Sequence, residues 1–92
     1  MAIIATATAD KTTINLGEKV TVTYSTSGCF DTQIQADNMP NPIDLGAGPQ
    51  SGTMSFLPGT SGTFNIYVMA IGDLGQARAD DSETAIVRIT VN

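Results

Sequence analysis

The chain reads as an all-β domain of two antiparallel sheets packed face to face, and three observations predict this. Apolar residues recur at every second position in several runs, not at the 3.6-residue spacing of a helix. Thirteen threonines and nine glycines among 92 residues leave no run of strong helix formers. The alternating runs are short, about seven in number, and separated by turn residues, which is the pattern of a sandwich and not of strands alternating with helices.

Taken in order, Ile3 to Ala9 alternates Ile3, Ala5, Ala7 and Ala9 with Ile4, Thr6 and Thr8, a weaker strand. A short piece follows at Ile14 to Leu16, and Leu16-Gly17-Glu18 turns the chain. Lys19 to Ser25 is the clearest strand, with Val20, Val22 and Tyr24 on one face and Lys19, Thr21 and Thr23 on the other. Weaker strands are expected at Thr32 to Ala36, around Ile34, and at Thr53 to Leu57, with Met54 and Phe56 inward. Between them Asp37 to Gly52 carries Pro40, Pro42, Gly46, Gly48 and Pro49, so it is expected to be irregular, with at most a short strand at Ile43-Asp44-Leu45. After Pro58-Gly59-Thr60-Ser61-Gly62, the run Thr63 to Ile71 points Phe64, Ile66, Val68 and Ala70 one way. Gly72-Asp73-Leu74-Gly75 ends it, and Thr84 to Asn92 closes the chain with Ala85, Val87, Ile89 and Val91 inward. The predicted core is Val20, Val22, Tyr24, Ile34, Met54, Phe56, Phe64, Ile66, Val68, Val87, Ile89 and Val91.

Ninety-two residues make one small domain. With 41% hydrophobic and 14% charged residues the chain should fold and not behave as a disordered tail. A formal charge of -5 argues against partners with anionic surfaces, so neither nucleic acid nor a membrane surface is expected. The start Met1-Ala2-Ile3-Ile4 lacks the basic segment and continuous apolar run of a secretory signal, which predicts synthesis in the cytosol or excision from something longer. Strands that begin almost at Met1 and end at Val91 leave no linker for neighbouring domains, which favours a free-standing protein over one bead of a chain of domains.

Chemistry is harder to find. With no histidine and one cysteine, His-dependent triads and the common zinc sites drop out. Gly59-Thr60-Ser61-Gly62 lacks the spacing of a nucleophile elbow, and Gly46-Ala47-Gly48-Pro49 lacks the lysine and free N–H groups of a phosphate cradle, so both read as turns. Asp73, Asp80, Asp81 and Glu83 offer oxygen ligands that would suit calcium, but without the alternating Asp spacing of a calcium loop they read as a solvated hairpin beside Arg78. Asp31, Asp37 and Asn38 make a weaker case. Cys29, with no base beside it, reads as a small buried or half-buried filler. No catalytic residue, metal site or cofactor is expected, and the chain is not expected to be an enzyme.

Two segments carry a resemblance. Ile14-Asn15-Leu16-Gly17-Glu18-Lys19-Val20-Thr21-Val22-Thr23-Tyr24 resembles the strand entry of bacterial immunoglobulin-like domains, and Ser61 to Ala70 with Gly72-Asp73-Leu74-Gly75 and Ala85 to Val91 is similar to the last two strands of PKD-like modules. Together they cover about half the chain. The resemblance implies an immunoglobulin-like sandwich, though Phe64 stands where such domains often place a corner tyrosine, and the cysteine pair and core tryptophan of antibody domains are absent.

The resemblance also implies that the last two strands pair in the sheet opposite the first two. The outward residues Ile4, Thr6, Thr8, Lys19, Thr21 and Thr23 make a wet face. Those of the closing strands are more apolar, and Tyr67, Met69, Ile71, Ile86 and Arg88 form the candidate protein interface, unless the Asp37 to Gly52 segment covers them. Small, acidic, signal-less immunoglobulin-like proteins resemble the accessory proteins of tailed phages. That implies a capsid decoration or cement protein on the virion surface, made in the host cytoplasm, with the major capsid protein as partner and a homo-oligomer as its possible form. The alternative is a surface-binding module of a bacterial adhesin or carbohydrate-active enzyme, secreted or on the cell surface. A sugar site would want exposed aromatics, and of Tyr24, Phe30, Phe56, Phe64 and Tyr67 three are assigned to the core.

Overall fold

The computed structural model describes residues 3–73 and 78–92, and side chains outside 73–81. Among the described residues eight strands form two sheets: β1 (Ile4–Ala9), β2 (Thr13–Ile14), β3 (Val20–Ser27), β4 (Cys29–Ala36), β5 (Ile43–Ala47), β6 (Ser51–Phe56), β7 (Gly62–Asp73) and β8 (Arg78–Val91). One sheet has the order β1-β3-β6 and the other β2-β8-β7-β4-β5. All pairings are antiparallel except β2 with β8, which is parallel. The chain thus crosses from one sheet to the other between β1 and β2, so that its first two strands serve both layers.

The core lies between the sheets and follows the period of two. Val20, Val22 and Phe56 come from one layer, and Ile34, Phe64, Ile66, Val68, Val87, Ile89 and Val91 from the other, all buried. Phe56 and Phe64 meet across the layers with ring centroids 6.5 Å apart and planes tilted by 57°, within the separation at which aromatic pairs interact. Ile14 and Ala36 join this core, although the sequence pattern did not place them there. Tyr24 and Met54, expected inside, only pack against it. Tyr24 has small neighbours on either side, Ala7 and Gly52, which leave its ring partly uncovered, and Met54 lies on β6, an edge strand of its sheet.

Three expectations need correction. β4 begins at Cys29, not Thr32, because Gly28, at φ 71°, makes the turn that sends the chain directly across from β3 into the other sheet. β8 begins at Arg78, not Thr84, since pairing with β7 continues to Asp73 opposite Arg78, across an irregularity between Ile71 and Asp73 where Gly72 takes φ 82°. The piece expected at Ile14 to Leu16 is a strand at Thr13–Ile14. Its second half is instead a turn, in which Glu18 N–H donates to the Asn15 carbonyl and Gly17 takes φ 96°.

The 37–52 segment is more ordered than its prolines suggest. Its β5 pairs with β4 in the plane of the sheet, and Met39 and Leu45 pack against the core. What anchors its far end is a buried hydroxyl chain. Gln50 N–H donates to Thr26 Oγ1 (3.0 Å), Thr26 and Thr32 hydroxyls are 2.7 Å apart, and Thr32 donates to the Gly48 carbonyl (3.0 Å). Because the Thr32 proton is committed to Gly48, Thr26 is the donor between the two threonines. Cys29, fully buried as the filler expected from sequence, sets its thiol 3.6 Å from Thr32 Oγ1.

Candidate interaction face

The five residues singled out from sequence lie on the outward face of the five-stranded sheet. Alternation puts Tyr67, Met69 and Ile71 of β7 opposite to the core residues Ile66, Val68 and Ala70, and Ile86 and Arg88 of β8 opposite to Val87 and Ile89. Strand pairing then fixes rows. Tyr67 stands beside Ile86 on β8 and Gln35 on β4; Met69 stands between Thr84 and Gln33; Ile71 between Ser82 and Asp31; Arg88 is beside Asn65. Only one row therefore joins two of the apolar candidates, Tyr67 with Ile86.

Burial divides the set. Tyr67, Met69 and Ile71 are half-buried between their neighbours, whereas Arg88 is exposed and Ile86, at 61% of its full surface, is the most exposed large hydrophobic residue among those described. Tyr67 is held in place, since its hydroxyl donates to Asp37 Oδ1 at 3.1 Å while Asp37 Oδ2 accepts the Asn65 N–H at 2.8 Å. The apolar ring is thus fixed at low entropic cost, which is how aromatic contact residues work at interfaces. Next to it the side-chain oxygen of Asn65 is buried with no hydrogen-bond partner. Sequence reasoning missed Gln33, Gln35 and Asp37 as members of this face. Gln33 and Gln35 were legible, as the outward positions of the strand around Ile34; Asp37 was not, because only folding brings it beside residues about thirty positions away.

The opposite face of the molecule differs in chemistry. Rows Thr8–Thr23–Thr53 and Thr6–Ser25–Ser51 run across β1, β3 and β6, with Thr21 beside Ser55. Thr21 and Ser55 hydroxyls are 3.0 Å apart, and Thr6 donates to the Ser25 carbonyl. This is the wet face expected from its threonines, without a charged side chain in those rows.

The acidic residues whose side chains are described mostly secure backbone. Asp10 Oδ1 accepts the Thr21 N–H, Asp44 Oδ1 the Gly46 N–H, and Glu18 Oε1 the Asn15 N–H at 2.8 Å. The Asn15 bond, and then the Lys11 ammonium 3.4 Å away, hold the Glu18 carboxyl below its ordinary value. Asp31 is engaged by Gln33. Among the described residues no three metal-ligating side chains gather and no cavity is present. The calcium candidates Asp73, Asp80 and Asp81, like Arg78, have side chains outside those described; Glu83 is exposed.

No protein-family model and no curated protein matches the chain. Among solved structures it is similar to the CARDB domain of a Pyrococcus furiosus protein, crystallised in complex with di-metal ions. The two share 12% identity at a TM-score of 0.59, over 98% of this chain and 92% of that one. At that identity the likeness establishes the fold, an immunoglobulin-like β-sandwich, and favours neither PKD-like nor phage modules.

Proposed function

We propose that this immunoglobulin-like sandwich is an interaction module without catalytic activity, docking on a protein partner through the outward face of β7 and β8, and that the partner is the lattice of a phage capsid. The observation that carries the docking face is Ile86, 61% exposed and directly opposite the immobilised ring of Tyr67. β5 extends the sheet beyond β4, on the side away from β8. Tyrosine, methionine and arginine are the types enriched where proteins meet, and here they stand on adjacent strands of a rigid sheet. On the virion reading the chain is made in the host cytoplasm and binds many equivalent sites of the major capsid protein.

Two measurements test the two levels. Ile86→Ser with Arg88→Ala changes only exposed side chains, so the variant should fold like the parent and lose binding to its particle by at least about tenfold. Unchanged binding would move the contact away from this face. The partner is tested by density-gradient sedimentation of a lysate of the native source, with mass spectrometry for the chain. Co-migration of a chain of 9.5 kDa with large particles in many copies is the expected result. Recovery only within a longer, slowly sedimenting protein would replace the capsid by the cell-surface or sugar-binding alternative.

A further inference from the structure

The three-stranded sheet ends on one side at β6, and alternation fixes which backbone groups of that strand are free. Thr26 N–H donates to the Gln50 carbonyl at 2.9 Å, and the register from there turns the groups of Gly52, Met54 and Phe56 toward β3. The N–H and C=O groups of Ser51, Thr53 and Ser55 therefore point away from the sheet. Among the described residues no strand lies beside them.

Other edges are blunted. β1 packs against β7 and β8 of the facing sheet, β2 is two residues long, and β5 carries Asp44, a register shift and flanking prolines. Ser51 to Phe56 has no charge, no proline and no irregularity in its pairing. On the inner side of this edge Tyr24 and Met54, both inward by alternation, remain half-buried. Tyr24 leans across Gly52, where a side chain would begin 3.0 Å from its hydroxyl oxygen, so the ring reaches toward the open edge.

We infer that β6 pairs with β6 of a second copy of the chain, antiparallel about a twofold axis at Thr53, joining two three-stranded sheets into one. It goes beyond the docking face, which lies on the other sheet. What selects a second copy is the fit of this strand to itself. About that axis Ser51 meets Ser55 of the other copy and Thr53 meets Thr53, so every outward N–H faces a C=O and none is left over. On the outer side only hydroxyls meet, as Thr21 and Ser55 already do at 3.0 Å. On the inner side Met54 comes opposite Gly52 of the other copy and against the edge of its Tyr24 ring, a sulfur–aromatic contact. Tyr24 and Met54, which the sequence pattern placed inside and the single chain leaves half-buried, are thereby covered together. The two copies of β5 stand at different heights. Thr32, whose hydroxyl meets that of Thr26, is opposite Gly46, so β5 lies level with the Ser51 end of β6, and the axis puts the other copy's β5 at the Phe56 end. A ladder of about five residues per chain falls below the roughly 1,200 Å² of standard interfaces, so the dimer is weak and reversible.

The test uses the whole chain in a sedimentation series up to about 1 mM, with amide hydrogen exchange by NMR. A reversible dimer is expected, with the amides of Ser51, Thr53 and Ser55 slowed as concentration rises, while those of Gly52 and Met54, which face β3, are slow throughout. Thr53→Lys and Thr53→Glu each change an exposed side chain and keep its N–H, so both chains should fold like the parent. Alone, each sets like charges opposite one another at the axis and should dimerise about fivefold more weakly than the parent. Mixed, the introduced ammonium meets the introduced carboxylate, and dimerisation should return to at least the parental strength. A monomer throughout the series, a dimer whose edge amides stay fast, or a mixture that dimerises no better than its two components would each overturn the inference. Both variants leave Ile86 and Arg88 unchanged, and the Ile86→Ser, Arg88→Ala chain leaves β6 unchanged, so dimerisation and particle binding fail separately.

Discussion

Thr26 and Thr32 are both buried, yet neither leaves a polar atom stranded, because each hydroxyl accepts one bond and donates another. Replacing Thr32 by valine keeps the shape but deprives the Gly48 carbonyl of its donor and leaves the Thr26 hydroxyl only its longer bond, 3.4 Å, to the Gln50 carbonyl. We expect a loss of about 2 kcal/mol in chemical unfolding. Thr26→Val should cost a similar amount by leaving the Gln50 N–H unpaired, and the double variant should cost clearly less than the sum, since the second substitution removes a group that has already lost its better partner. Strict additivity in that cycle would mean that the two threonines act independently. Val68 lies at the other extreme. It is fully buried in the core, so Val68→Asp places an unpaired charge there, and circular dichroism at neutral pH should report an unfolded chain. Ten of the twelve residues assigned to the core from sequence are buried, because a period of two needs only one correct anchor to place a whole strand. The hydroxyl chain was not legible, since threonine alternates between faces like any β-branched residue and nothing local tells a wet one from a buried one.

Among the elements, those read most faithfully were the strands with strong alternation. β3 and β7 lie within two residues of their expected limits, whereas β8 starts six residues earlier than expected. That early part, Arg78 to Glu83, is polar in sequence and is recruited by its pairing with β7, not by its own propensity. β2 shows the reverse limit, because two residues carry no periodicity and only the partner strand gives them a strand conformation. The turn between β2 and β3 makes a prediction of its own. With its carboxylate held by the Asn15 N–H and by Lys11, Glu18 should titrate below 4.5 when followed by NMR, and Lys11→Ala should restore only part of the difference. A group whose folded value is depressed stabilises the protein above its unfolded value and ceases to do so as pH falls through the folded one. This turn should therefore loosen on the acid side of pH 4.5, and a normal Glu18 midpoint would show that the carboxylate is not held as described.

For the molecule as a whole, the two outward faces were legible as different, one hydroxyl-rich and one more apolar, because outward positions follow from the inward ones. Their assignment to opposite sheets came from the implied topology, and the pairing order bears it out for β1 and β3 against β7 and β8. The rows within the candidate face were beyond reach, since register between β4 and β7 joins residues such as Gln35 and Tyr67 that no local signal connects.

The parallel pairing of β2 with β8 has a mechanical meaning. A tension pulling residues 3 and 92 apart would draw the two strands past one another along their length. The bonds from Thr90 to Thr12, from Asn92 to Ile14 and from Leu16 to Asn92 would then carry the load together and not break one at a time. The sandwich is built to resist stretching along its chain axis far better than peeling at its sides.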